Sequence, residues 1–391
     1  MYCPPFCPNK DCEHHNHHKL SRSQRLKVGT WFWRKGRGRS ACAGEFQKFQ
    51  CTSCRRYFSE RTFSIDYRVH KIVSYRDLVK DVRSRCSLAA TYRNRGISAS
   101  IHRNRIGRLA RNCIALHAEL FPHLKTPEDL IADGFVSFEV SQYYPSNLHV
   151  LIGKESEYLY AMDHVTIRRT GIMTDAQKKK QARLEQVYRP GSRGIQKSFG
   201  RIMHTMSTCI DRWDLGPESH RTQPGSVCLI TDNKKEYPDA IGSSELTHHQ
   251  IASQRLDWKH ISSDHNRGPG GPMFAMDNFD RELRKDIASY VRETVTFRRN
   301  VAHAMESVQV YRMYHNFLKP FRSRDVQKQR RWQRAGLPEK LVRSRLKKLF
   351  TQRAFLSHLE TVPEEDMRVW KRQLYTPGQL HQQLPRQYIL N

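Results

Sequence analysis

Six of the ten cysteines fall within the first fifty-four residues, and four of them form two knuckles. Cys7-Pro-Asn-Lys-Asp-Cys12 and Cys51-Thr-Ser-Cys54 each offer a pair of thiols over a short span. Such spacing lets both sulfurs of a knuckle reach one tetrahedral zinc at about 2.3 Å without straining the chain. No signal sequence is evident, since Met1 leads straight into a Cys- and His-rich segment. Paired cysteines then read as metal ligands before they read as disulfides. The expected zinc set is Cys7, Cys12, Cys51 and Cys54, with Cys3 and Cys42 ranked behind them. His14, His15, His17 and His18 compete on paper, but a run of that kind is more often a solvated polar surface. The segment up to Phe63 is too short to bury a core alone, so the metal is expected to substitute for one. Between the knuckles, residues 13–50 carry Thr30-Trp31-Phe32-Trp33 and the basic run Arg34-Lys35-Gly36-Arg37-Gly38-Arg39.

At 391 residues the chain predicts two or three domains. Lys and Arg number 68 against 38 Asp and Glu, a formal charge of +30, which is the signature of a polyanion binder and most often of a nucleic-acid binder. A basic structural protein of a ribosome-like assembly has the same balance. No apolar run is long enough to span a bilayer, so no membrane partner is expected. After Phe63 the pattern turns helical: Val73, Leu78, Val79 and Val82 share one face, then Arg95-Gly96-Ile97-Ser98 makes a turn. A second helix begins near Ala99 with Ile106, Leu109 and Cys113 at helical spacing. Arg103, Arg105, Arg108 and Arg111 on that second helix give a helix-turn-helix pattern with a DNA-reading face, favoured over an ordinary basic helical hairpin packed on the next domain. His102 occupies a position where such motifs usually bury an aliphatic residue.

Beyond Pro127 the composition changes to β-formers. Residues 135–140, 148–152 and 158–162 read as strands, 174–189 as a polar helix bearing Lys178-Lys179-Lys180, and 199–210 as a helix. Val227-Cys228-Leu229-Ile230-Thr231 is an apolar strand of the kind buried on both faces, ending at Asp232. Asp133, Asp232 and an acidic helix around Met276–Ile287 supply carboxylates for two-metal phosphoryl chemistry, in which two ions sit about 4 Å apart. Mg²⁺ takes a few carboxylates plus water and substrate oxygens. On the helix, Leu283 and Ile287 mark the buried stripe and Asp280 lies on it. Glu282 falls with Asp286 and Glu293 on the outward side, and Asp277 suits a helix N-cap. Asp280 is therefore the chosen third acid, with Asp277, Asp163 and Glu282 in reserve.

Taken together, the cysteine knuckles, the helix-turn-helix and the spacing of Asp133, Asp232 and the acidic helix resemble the DDE transposases of bacterial insertion sequences. Asp133-Gly134-Phe135-Val136-Ser137-Phe138 resembles the first-strand motif, and Ile230-Thr231-Asp232 with Tyr237 the second-Asp motif. Phe279 to Asp286, Tyr290-Val291-Arg292-Glu293-Thr294 and Tyr314-His315-Asn316-Phe317 resemble the third-acid helix and its sequel. The likeness runs from Cys7 to about Arg322. It departs in having Asp277 or Asp280 where the superfamily carries Glu. It also departs in a stretch inserted at Gln142–Ser156, which makes Asp163 a rival first ligand.

The resemblance implies an α/β fold: an RNase H-like mixed sheet with flanking helices, preceded by a zinc module and a helix-turn-helix. The expected boundaries are 1–65, 66–125, 126–321 and a separate basic helical tail at 322–391, with an amphipathic helix over Pro338–Leu359 and a loose end from Pro377. It implies Mg²⁺ or Mn²⁺ at Asp133, Asp232 and Asp280, structural Zn²⁺ at the cysteines, and Lys178–Lys180, Arg281, Arg284 and Lys285 near phosphates. The partners it implies are double-stranded DNA, as terminal inverted repeats and target, and a second copy of the chain in a dimer or larger synaptic complex. It places the protein in the cytoplasm with the nucleoid. A non-catalytic DNA-binding relative or repressor is the competing reading, and a structure-specific nuclease a third.

Overall fold

Trp31, Phe49 and Phe58 point to one side of a small antiparallel meander and polar residues to the other, which sets the character of the N-terminal module. The computed structural model describes residues 2–21, 23–25, 29–138, 140–213, 226–247, 256–262, 265–291, 296–322, 324, 326 and 328–379. Strands β1 (Phe32–Ser40), β2 (Gly44–Cys51) and β3 (Tyr57–Ser59) pair in that order. The later part of the stretch between the knuckles, from Phe32, is thus a hairpin. Trp31 stacks on Phe58 with ring centroids 5.8 Å apart, and Phe6, Phe32, Phe49, Phe63 and the buried cysteines complete a small aromatic core. The histidine run is a 3-10 helix, Glu13–Lys19, and is not the solvated surface expected. His15 is buried, with Nδ1 2.7 Å from the Cys7 carbonyl and Nε2 2.8 Å from Ser357 Oγ.

Helices α1 (Tyr75–Val82), α2 (Leu88–Arg95) and α3 (Ala99–Leu120) follow. Gly96 at φ 56° turns the chain after α2, and Ser98 caps α3 by accepting the Ile101 N–H. That is the expected pair of helices joined at a glycine turn, because Gly reaches the left-handed region without strain and Ser satisfies an orphan N–H. Its second helix, however, is an internal spine. Residues 105 to 118 of α3 are buried along their length. Arg105 donates to the Lys71 carbonyl at 2.7 Å, Arg108 to the Ile65 carbonyl at 2.8 Å, and Arg111 lies 3.9 Å from Glu306. These three arginines serve the interior and so do not form the expected DNA-reading face; Arg103 is the one of the four that is exposed.

The central sheet has the order β6-β5-β4-β7-β8. Its strands are β4 (Leu130–Phe138), β5 (Pro145–Gly153), β6 (Leu159–Thr166), β7 (Val227–Asp232) and β8 (Leu256–Ile261). β4–β5 and β5–β6 are antiparallel, while β4–β7 and β7–β8 are parallel. The stretch read as an insert at Gln142–Ser156 is largely β5, the second strand of the sheet. Helices α4 (Asp175–Val187), α5 (Gly194–Arg212) and α6 (Glu236–Gly242) come next, then α7 (Phe274–Asp286) and α8 (Val301–Met313). Leu130, Ala132, Val227 and Leu229 pack toward α5, whereas Ile131, Phe135, Cys228 and Ile230 pack toward α7 and α8. The result is a mixed α/β core with helices on both faces. Among the described residues no helix is long and apolar enough to cross a membrane. Glu293 and its neighbours Arg292 and Thr294 lie outside the described residues, as do 380–391.

The tail is not separate. Its helices α9 (Arg331–Arg334), α10 (Glu339–Leu349) and α11 (Glu364–Trp370) are built into the core. Asn112 on α3 donates to the carbonyls of Leu349 and Gln352, both at 2.7 Å. Phe355 joins the aromatic core of the cysteine module. The expected long helix over Pro338–Leu359 stops at Leu349, because the chain must turn there to reach both α3 and that module.

Burial holds several imidazoles neutral: His102 and His315 are pushed down to about 4, His358 to about 3, and His117 and His149 well below the usual value. Between pH 6.5 and 4 the unfolded chain takes up protons at these sites while the folded chain does not. Stability therefore falls as the pH falls through that window, by about 2 kcal/mol for a site such as His102 at pH 5. Urea unfolding at pH 7.5 and pH 5 is expected to show this loss, and His102→Gln to reduce it.

Candidate functional site

The four knuckle sulfurs converge. Cys7 Sγ lies 3.5 Å from Cys54 Sγ and Cys12 Sγ 3.6 Å from Cys51 Sγ, and all four lie within 4.8 Å of one another. Thiolates at such separations can surround one structural ion such as zinc at about 2.3 Å. Burial pushes the Cys51 thiol up to about 11. It also opposes ionisation of Cys54, yet hydrogen bonding from the Arg56 N–H and the Cys7 thiol brings that thiol down to about 7. Cys3 is exposed and outside the quartet, and Cys42 bonds to the Val69 carbonyl at 2.9 Å.

The second assembly is acidic. Side chains alternate along a strand, so Asp133 shares a face with Ile131 and Phe135, and Asp232 with Cys228 and Ile230. The parallel register pairs Ile131 with Ile230 and Ala132 with Thr231, which sets the two aspartates beside each other at the next position. That face is covered by α7. Its inward stripe of Met276, Phe279 and Leu283 anchors the helix, and Asp280 falls between Met276 and Leu283 on the same side. Asp133, Asp232, Asp277 and Asp280 consequently line one cleft of about 420 Å³, together with His265, Arg267, Arg281 and Arg284.

Gly134 matters locally. Its N–H donates to Asp133 Oδ1 at 2.6 Å, and a Cβ there would meet the Asn147 amide at 2.4 Å. Tyr237 O–H donates to the same Asp133 oxygen at 3.4 Å. By contrast, Asp232 Oδ1 and Asp280 Oδ1 are sealed from solvent with no hydrogen-bond partner among the described residues. Burial, then the neighbouring Asp232, pushes the Asp133 carboxyl up to about 6. Burial, then Asp133, pushes Asp280 up to about 8 although Arg284 opposes it, and burial also raises Asp232 against the pull of Lys234. Elevation of this kind reflects carboxylates in a poorly solvated place, with a like charge beside Asp133 and beside Asp280, and a bound cation relieves it. Among the described residues, the cysteine quartet alone brings three or more ligand atoms within 4.8 Å of one another. The aspartates frame a wider opening.

The reserves separate cleanly. Asp277 lies in the first turn of α7 and is not its N-cap, which is Met273; its Oδ2 sits 3.0 Å from His265 Nε2. Glu282 and Asp286 are not outward, because the chain after α8 covers that side. Glu282 contacts Lys319, His315 and Arg331 at 3.1–3.3 Å, and Asp286 contacts Lys319 at 2.8 Å. Burial alone would raise the Glu282 carboxyl, but the His315 contact and the Arg331 and Lys319 cations hold it well below the usual carboxylate range. Asp163 is buried on β6 between Arg201 and Arg368, at 2.5 and 2.7 Å, and is not a rival ligand. Sequence reasoning missed His265 and Arg267, whose loop carries no periodic signal. Compared with known protein families and with curated proteins, the chain matches none of them.

Elemental analysis of the purified protein is expected to find about one zinc per chain, and Cys51→Ser to lose it together with several degrees of Tm. Without divalent ions, Asp280→Asn is expected to raise Tm at pH 8 by a few degrees, since it removes a buried like charge. Millimolar Mg²⁺ or Mn²⁺ should raise the Tm of the parent protein and leave the Asp280→Asn variant unmoved. Equal shifts in both would contradict a cation site at this cleft.

Proposed function

We propose that the protein is a DDE-type transposase with an RNase H-like core, cutting phosphodiesters at the ends of an element and joining them to target DNA. The observation that carries the reading is the pair of buried carboxylate oxygens, Asp232 Oδ1 and Asp280 Oδ1, that lack partners among the described residues beside Asp133 in one cleft. Hard oxygen donors suit Mg²⁺ or Mn²⁺, and an opening wider than the cysteine quartet suits two ions rather than one. Also in its support are a mixed sheet bearing acids on its first and fourth strands, a third acid on the helix that follows, and the formal charge of +30.

Asp133, Asp232 and Asp280 would hold the ions. Bound there, a divalent pair supplies the Lewis acidity that activates an attacking hydroxyl and steadies the departing oxygen. Arg267, Arg281 and Arg284 line the same cleft and neutralise the phosphates brought into it. His265, held against Asp277, positions that rim. In the first step a water oxygen bonds to phosphorus while the bond to the 3′ oxygen breaks, freeing a 3′-OH. In the second, that hydroxyl attacks a target phosphorus in line and displaces its leaving oxygen. Two ends need two clefts, so the working form is a dimer or larger assembly.

Purified protein with end-repeat DNA and Mg²⁺ is expected to nick and then strand-transfer. Asp133→Ala and Asp232→Ala should lose more than about a hundredfold in rate, the loss already met when an outer-sphere partner of a metal is removed, while keeping DNA binding. Tight binding without cleavage in Mg²⁺ or Mn²⁺ would establish a non-catalytic DNA-binding protein instead. Cleavage without joining would establish a nuclease.

A further inference from the structure

A second cavity lies far from the cleft aspartates in sequence. It is a concavity of about 650 Å³ on the outer face of the cysteine module. Five cations border it, Lys10, Lys48, Arg56, Arg68 and Arg353, against the single acid Asp11. Its floor is aromatic. Antiparallel register sets Lys48 and Gln50 on the outward face of β2 opposite Ser59 and Tyr57, while Phe49 and Phe58 point into the core. Tyr57 is accordingly 64% exposed, although it sits within a strand. Phe46 occupies the same face over Gly38. A Cβ at Gly38 would come within 2.6 Å of the Phe46 ring and 2.8 Å of Lys48 Cε, so glycine is what lets the ring and the lysine stem lie across β1.

We propose that this groove binds single-stranded nucleic acid, with Tyr57 and Phe46 as stacking platforms and Lys48 and Arg56 on the phosphates. A duplex hides its base faces and is read by protruding elements, whereas a concave basic surface carrying the exposed Tyr57 ring and the half-buried Phe46 ring fits an unpaired strand. An acidic peptide would satisfy the cations and leave the rings without a partner. The inference is independent of the carboxylate cleft.

The test uses the zinc-loaded full-length chain without divalent cations, and fluorescence anisotropy of a labelled fifteen-nucleotide oligo-dT. Oligo-U, a duplex of the same length and polyglutamate are the competitors. Tyr57→Ala is expected to weaken oligo-dT binding about tenfold or more, and Tyr57→Phe to keep it. Lys48→Glu combined with Arg56→Glu, at unchanged zinc content, should reduce the salt dependence by about 1.4 in log–log slope. Competition by oligo-U as well as oligo-dT supports recognition of either sugar. Unchanged affinity in Tyr57→Ala, or competition by duplex or polyglutamate as strong as by single strand, overturns the proposal. Because the readout is binding without Mg²⁺, a failure of DNA cleavage at the aspartates leaves it standing.

Discussion

The structure turns on one electrostatic imbalance: carboxylates from β4, β7 and α7 meet in a cleft where the described residues supply no buried cation to neutralise them. Several other buried acids meet a cation, while Glu128 and Glu365 are held by hydroxyl donors instead. Asp163 lies between Arg201 and Arg368, Asp366 meets Arg312 at 3.0 Å, Glu306 meets Arg372 at 2.7 Å, and Glu157 meets Arg331 at 2.9 Å. A chain this rich in arginine could have done the same for Asp133, Asp232 and Asp280. The arginines of the cleft line its wall, and two carboxylate oxygens are left without a partner among the described residues. Unpaired buried charge costs several kcal/mol unless something arrives to match it, and such costs persist where function maintains them.

The paired acids also explain how the rest of the molecule is tied together. Arg331, fully buried, bridges Glu157 at the β5–β6 turn to Glu282 on α7, and Lys319 clamps Glu282 and Asp286. These contacts fix α7 from its outer side, so that its inner side, carrying Asp280, is pressed toward the sheet. Helix α3 completes the frame. Gly107 leaves room for the Glu306 carboxylate of α8, where a Cβ would come within 2.6 Å. A helix with that many internal duties is a beam of the scaffold, and the outward basic surfaces lie on other elements.

Much of this could be read before any coordinates. The knuckle spacing picked out the cysteine quartet because two short loops suffice to define a tetrahedron. Strand β7 was visible because an apolar run ending in Asp232 has few other meanings, and the stripe through Leu283 placed Asp280 correctly. What escaped the sequence was partnership across long separations. Arg105, Arg108 and Arg111 have the pattern of a solvated basic face, and only backbone carbonyls from residues 65 and 71 and a carboxylate at 306 reveal them as interior. Glu282 looked outward because periodicity describes one helix and cannot foresee the segment at 314–331 that covers it. The tail looked detached for the same reason, since Phe355 packs on Phe6 and Phe63 and Arg331 pairs with Glu157, all far back in the chain.

Diffraction from crystals soaked in Mn²⁺, with anomalous maps phased on the zinc, addresses the aspartates directly. The account predicts two manganese peaks about 4 Å apart, with Asp133, Asp232 and Asp280 oxygens as ligands. Crystals that bind manganese elsewhere, or that leave these three side chains without a peak at saturating metal, would contradict it.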